Sequence, residues 1–205
     1  MYQITEAVKH LIIINVILFL ASISILGDYK YYLYLFYPES PLFEPWQLIT
    51  HMFMHGSFNH IFFNMLMLFF IGPMMENNLG TKRFLIFYFG CGLGGAVLHI
   101  LSKFVLIHYF NNDDGINIPV LGASGAINGL FVGLAYLYPN LPMNLMFIPI
   151  PIKAKYLAIF FIAGDLIWGL SGYQTGIAHY AHLGGALFGL LMLMYWKRND
   201  RTDRQ

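Results

Sequence analysis

The chain has 205 residues, 58% hydrophobic and only 10% charged, with a mean hydropathy of +0.62 and a formal net charge of +1. Soluble domains carry about 25% charged residues, so this composition excludes an ordinary soluble enzyme and points to an integral membrane protein, while the near-zero net charge argues against nucleic acid as a partner. A hydrocarbon core about 30 Å thick needs roughly 20 apolar residues per helix, which leaves room for about six spans in one compact all-α bundle covering 1–205, with no soluble domain.

Charge, proline and polar clusters delimit six apolar segments, at 7–26, 56–75, 83–107, 122–138, 155–170 and 176–196. Within the first, Lys9-His10 is followed by an apolar run and then Ala21-Ser22-Ile23-Ser24, a pattern shared with cleavable signal peptides. It reads as a retained signal anchor, because removing it would leave five spans and put the termini on opposite sides. The loop 27–50 is rich in tyrosine and carries Trp46, residues that favour the membrane interface, so it is expected to lie at the outer surface. Span two carries His60 and Asn64, four residues apart and hence on one helical face, and Glu76 near its end. Span three contains Cys91, a single cysteine for which the bland reading is a buried thiol. Span four opens with Gly122-Ala123-Ser124-Gly125, and the segment 140–152, with three prolines, suggests a shallow interfacial or re-entrant connection. Span five holds Asp165, and span six holds His179 and Ala181-His182-Leu183-Gly184-Gly185 before a basic tail suited to anionic lipid.

Orientation follows from the basic residues. With both termini cytoplasmic, Lys9, Lys82, Arg83, Lys153, Lys155, Lys197, Arg198, Arg201 and Arg204 lie inside, nine of the eleven lysines and arginines, leaving Lys30 and Lys103 outside. The outer loops then carry Asp28, Glu39, Glu44, Asp113 and Asp114. Spans two, four and six therefore start from the outer face. Ser124 falls about one turn into its helix, His182 about two turns, and His60 and Asn64 one to two turns, so all four side chains share one outer layer. Gly125, Gly129 and Gly133 on span four and Gly185 and Gly189 on span six form GxxxG units that let backbones approach closely. Close approach is what a hydrogen bond between a serine nucleophile and an imidazole base requires. A serine at a helix start also faces unpaired N–H groups and the positive end of the helix dipole, which favour an oxyanion. His60 and Asn64 can donate to the same developing charge, or serve as polar glue between helices.

The run from Trp46 to Asn64, the later Glu76 and Gly80, Gly122-Ala123-Ser124-Gly125 and Ala181-His182-Leu183-Gly184-Gly185 resemble, in order and spacing, the rhomboid family of intramembrane serine proteases over about residues 46 to 190. The likeness is to the minimal six-helix prokaryotic form without a seventh helix or cytosolic domain. The resemblance implies Ser124 as nucleophile and His182 as general base and acid, in a dyad without a third carboxylate. It implies an oxyanion hole of His60, Asn64 and the Ser124 N–H, shaped by the Gly122 region. The implied reaction is hydrolysis of a peptide bond in or beside a transmembrane helix of a membrane-protein substrate, through an acyl-enzyme, with no metal or other cofactor. A bacterial plasma membrane is the expected location, from the lack of targeting extensions. The chain departs from the pattern at Asn128, where many members place an aromatic ring against the catalytic imidazole. Asn128 and His179 are therefore kept as supporting residues, Asn128 as a hydrogen-bonding substitute and His179 as a wall or water-positioning group.

His51, His55 and His60 suggest a metal cluster, but no cysteine or carboxylate completes it and hydrogen bonding at the interface is the better reading. Asp165 invites a transporter reading. With no second intramembrane acid except Glu76, it reads instead as a structural hydrogen bond. Glu76 matches a family position expected to brace the loop and helix end. A catalytically silent rhomboid-like binder of transmembrane clients is the main alternative to a protease; it would be marked by loss of Ser124 or His182, and both are present.

Overall fold

A computed structural model describes residues 3–111, 115–145, 148–171 and 176–202; Asp113, Asp114 and Arg204 fall outside the described residues, as does the side chain of Arg201. The bundle is all-α in character, built among the described residues on six long helices. These are α1 (Glu6–Ser24), α3 (Phe58–Leu79), α4 (Thr81–Phe110), α5 (Ser124–Leu137), α6 (Ala154–Leu170) and α7 (His179–Thr202), with a one-turn α2 (Gln47–Thr50) before α3. Of these, α1, α3 and α4 are long and apolar enough to cross a membrane by length and composition alone.

Why α5 is shorter follows from where it sits. Its fourteen residues rise only about 21 Å, yet ten of them, from Gly125 to Ala135, are buried. A helix apolar all round belongs inside a bundle, and α5 is enclosed by α3, α4, α6 and α7. Glycines set the spacing there. A Cβ on Gly185 would fall 1.9 Å from the Gly125 carbonyl oxygen, and one on Gly189 would fall 2.9 Å from that of Gly129. Cys91 of α4 packs buried into the same seam, its Sγ facing Gly129. On the other side of α7, a Cβ on Gly184 would meet the Gly94 carbonyl oxygen of α4 at 2.4 Å. Three backbones are thus in contact with no side chain between them.

The far end of the bundle is tied by Glu76. Its buried carboxylate accepts from the Ala7 and Val8 N–H groups at 3.2 and 3.1 Å and from the Thr81 hydroxyl at 2.8 Å. The first turn of α1 has no side-chain cap of its own, so Glu76 satisfies two of its orphan donors from another helix while bracing the start of α4.

Two connections differ from a plain loop. Within 27–50 the chain forms a 3-10 turn at Gly27–Leu33, then a buried extended piece in which Leu35 pairs with Val120 through reciprocal backbone bonds of 3.0 and 2.8 Å. Gln47 holds this loop from within, accepting from Phe36 N–H at 3.2 Å and donating to the Leu42 carbonyl at 2.8 Å. Tyr29, Tyr32 and Trp46 remain exposed on its rim. Where the sequence suggested an interfacial or re-entrant connection, the backbone closes an antiparallel hairpin, β1 (Pro142–Leu145) and β2 (Ile148–Lys153). Proline is compatible with a strand at a sheet edge, and in a two-stranded sheet both strands are edges.

Candidate active site

The N-terminal ends of α3, α5 and α7 and the C-terminal part of α6 converge on a cavity of about 1360 Å³ lined by His60, Asn64, Ser124, Asp165, His179 and His182 among others. The polar layer is shallower than the sequence suggested. Ser124 is the first residue of α5 and His182 the fourth of α7, because both helices begin later than the apolar runs that contain them.

Ser124 follows Gly122, whose φ of +123° lies in the region L side chains rarely adopt. The turn is fixed further by the Gly122 N–H, which donates to the His51 carbonyl at 2.9 Å. Ser124 is not the N-cap, a position held by Ala123, and its hydroxyl is free to engage α7. Its Oγ lies 2.9 Å from His182 Nε2. On the other side of that ring, Nδ1 lies 3.1 Å from Asp165 Oδ1. A carboxylate only accepts, so Nδ1 carries the proton and Nε2 presents its lone pair to the serine hydroxyl. The resemblance implied a dyad with no third carboxylate; the structure sets one against the histidine, and the hydrogen bond foreseen for Asp165 goes to this imidazole. His179 Nδ1 also donates to Asp165 Oδ1, at 2.7 Å.

His60 borders the serine turn. A Cβ added to Gly122 would fall 2.7 Å from His60 Nε2 and 3.6 Å from Ser124 Oγ, so glycine is needed at 122 for space as well as for conformation. The Gly56 N–H approaches His60 Nδ1 as donor at 3.4 Å, a weak bond that leaves Nε2 as the N–H side of the ring. Ser57 caps α3 by accepting from the His60 N–H at 3.2 Å. Asn64 turns one amide N–H back to the His60 carbonyl at 2.8 Å, leaving the second for the cavity. Asn128, four residues beyond the serine, donates to the Ser124 carbonyl at 3.0 Å and so reinforces its own helix.

The histidines upstream serve the scaffold. His51 donates through Nδ1 to the Gln47 carbonyl at 2.7 Å, and burial pushes its imidazole down to about 4. His55, pushed down to about 3 by burial, sets its ring edge-on to His60 at 4.9 Å. Among the described residues no group of three or more His, Cys, Asp or Glu is arranged to hold a metal ion.

Asp165 was the residue whose role the sequence hid. The signal that could have found it is depth: it stands five residues before the end of α6, as His182 stands near the start of the next helix. Those two positions belong to the same layer.

A family model described as the rhomboid domain matches residues 42–199. The chain is 34% identical over 145 residues to RHOMBOID-like protein 12, mitochondrial, of Arabidopsis thaliana, covering 68% of this chain and 43% of the relative. It is 27% identical over 200 residues to Rhomboid protease GlpG of Salmonella choleraesuis (strain SC-B67), covering 95% of this chain and 64% of the relative. A third similarity, 36% over 89 residues, is to Putative rhomboid protease YdcA of Bacillus subtilis (strain 168), covering 43% of this chain and 39% of the relative. The chain thus spans less than two thirds of the length of each of these relatives.

Proposed function

The chain belongs to the rhomboid family of multi-pass membrane proteins, and from that premise we propose that it is an intramembrane serine endopeptidase whose nucleophile is Ser124 and whose general base and acid is His182. The observation that carries this reading is the 2.9 Å contact between Ser124 Oγ and His182 Nε2 at the wall of the cavity. Relatives named as rhomboid proteases support the class of reaction.

In this reaction the Ser124 oxygen attacks the scissile carbonyl carbon while His182 Nε2 takes the hydroxyl proton. Negative charge then develops on the carbonyl oxygen. The Ser124 N–H at the start of α5, His60 Nε2–H and the free amide N–H of Asn64 are the donors available to it, reinforced by the positive end of the helix dipole. The C–N bond breaks as His182 returns the proton to the leaving amine, leaving an acyl-enzyme. Water attacks that ester with His182 again as base, restoring the hydroxyl. Removing one oxyanion donor costs about 10² to 10³ in kcat in a comparable site, so His60 and Asn64 are each expected to matter without being indispensable.

Placement in the bilayer dictates the substrate. A helical peptide bond is shielded by its own backbone, so the transmembrane segment must reach the cavity from the lipid and unwind locally, favouring small or helix-destabilising residues at the cleavage point. The six helices act as one membrane domain, with both termini cytoplasmic and the cavity opening outward, in a bacterial plasma membrane. Cleavage of a type I transmembrane substrate in liposomes tests the assignment, comparing the wild-type chain with Ser124→Ala and His182→Ala. Each variant is expected to lose at least about 10⁴-fold in kcat while remaining folded. Equal cleavage by Ser124→Ala would remove the protease reading, and a wild-type chain that cleaves nothing across a substrate panel would favour client binding instead.

A further inference from the structure

We propose that Asp165 is a positioning residue for His182, so that the reacting unit is Ser124, His182 and Asp165 in line, with His179 fixing the carboxylate. The inference rests on reading Ser124 and His182 as nucleophile and base. Its first support is the line of contacts itself. Asp165 Oδ1 and Ser124 Oγ sit on opposite nitrogens of one ring, at 3.1 and 2.9 Å. A neutral imidazole holds a single ring proton, and the carboxylate can only accept, which selects the tautomer with its lone pair toward the serine.

A second support is the cost of the arrangement. An acidic side chain in a lipid-level helix is expensive, and α6 otherwise docks through few residues, with Ala154, Leu157 and Ala158 its buried positions. Asp165 is nonetheless largely enclosed, at 13% side-chain exposure, and spends its Oδ1 on two imidazoles. His179, itself at 9% side-chain exposure, donates to that oxygen at 2.7 Å and limits the rotamers open to the carboxylate. Asn128, at the position where an aromatic support was expected, bonds to the Ser124 carbonyl instead. The carboxylate supplies the orientation that this residue does not.

During acylation the proton passes from Ser124 Oγ to His182 Nε2 and no further. Asp165 stays ionised and faces the imidazolium that forms, then faces the neutral ring again once the proton reaches the leaving amine. Such a group acts on the chemical step more than on substrate binding.

The test uses the full chain in liposomes with the same transmembrane substrate. Asp165→Asn keeps the shape and is expected to lower kcat by about 100-fold or more with KM within about twofold and an unchanged unfolding midpoint. Nitrogen-15 histidine spectra of the folded wild-type protein in micelles, with His182→Ala to assign the signal, should show His182 protonated on Nδ1, and that signal should change in Asp165→Asn. A kcat for Asp165→Asn within about threefold of wild type, or a wild-type His182 protonated on Nε2 alone, would overturn the positioning role. Full activity in Ser124→Ala would instead strike the underlying protease reading, so the two failures are distinguishable. The spectrum of the wild-type chain decides the tautomer even if the variant does not fold.

Discussion

The seam between α5 and α7 and the flank formed by α6 hold the same site by opposite means. Along the seam, glycine backbones touch: no atom could be added at Gly185 without meeting the Gly125 carbonyl oxygen at 1.9 Å. On α6 an added Cβ at Gly164 meets nothing within 4 Å, and Ile159, Phe160 and Ile167 lie exposed for lipid. Ser124 and His182 stand on the rigid seam, and Asp165 stands on the lightly packed flank. The difference teaches that a short Ser–His contact can be secured by steric necessity, whereas the carboxylate depends on hydrogen bonds to His179 and His182 and on the Tyr180 hydroxyl, which donates to the Gly169 carbonyl at 2.9 Å.

Substitution on the seam should have the largest effect. Gly185→Val places three carbons where backbone already lies and is expected to destabilise the fold by at least about 3 kcal/mol and to abolish cleavage, read by thermal unfolding in micelles and by substrate turnover. Normal stability in that variant would break the comparison, since it would mean the helices can part without penalty.

Acid should loosen the seam side next. His51, whose carbonyl holds the Gly122 N–H, is neutral in the fold down to about 4, against an ordinary value of 6.5. Its contribution is complete above pH 6.5. Between 6.5 and about 4 the unfolded chain takes up a proton that the folded chain does not, so stability falls by up to about 1.4 kcal/mol per pH unit. At pH 5 the expected loss is about 2 kcal/mol relative to pH 7.5, seen as a lower unfolding midpoint, and His51→Gln should remove that part of the pH dependence.

The smallest effect is expected on α6. Gly164→Ala should stabilise by up to about 1 kcal/mol through helix propensity alone and leave turnover intact. A loss of folding there would show that α6 is packed as tightly as α7.

Much of this architecture was legible before any coordinates. The all-α membrane character follows from the apolar composition, and the glycine spacing at 125, 129, 185 and 189 marks the seam. The shared layer of His60, Ser124 and His182 was also readable, because helical rise converts sequence position into depth. The hairpin at 142–153 was not, since prolines and apolar residues in a short connection fit several backbone paths and only pairing between β1 and β2 selects one. The pairing of Leu35 with Val120 was hidden for the same reason: it joins residues far apart in the chain.

By itself, the sequence determined that the chain is a membrane bundle and which polar residues share one layer of it, because hydropathy and helical rise are local quantities. Tertiary structure alone decided which polar groups touch. It turned Asn128 toward its own helix, set Glu76 on the first turn of α1 and brought Asp165 against His182. Helix order in the chain does not fix the rotation of each helix about its axis, and that rotation, set by the packing of the whole bundle, determines what a side chain faces.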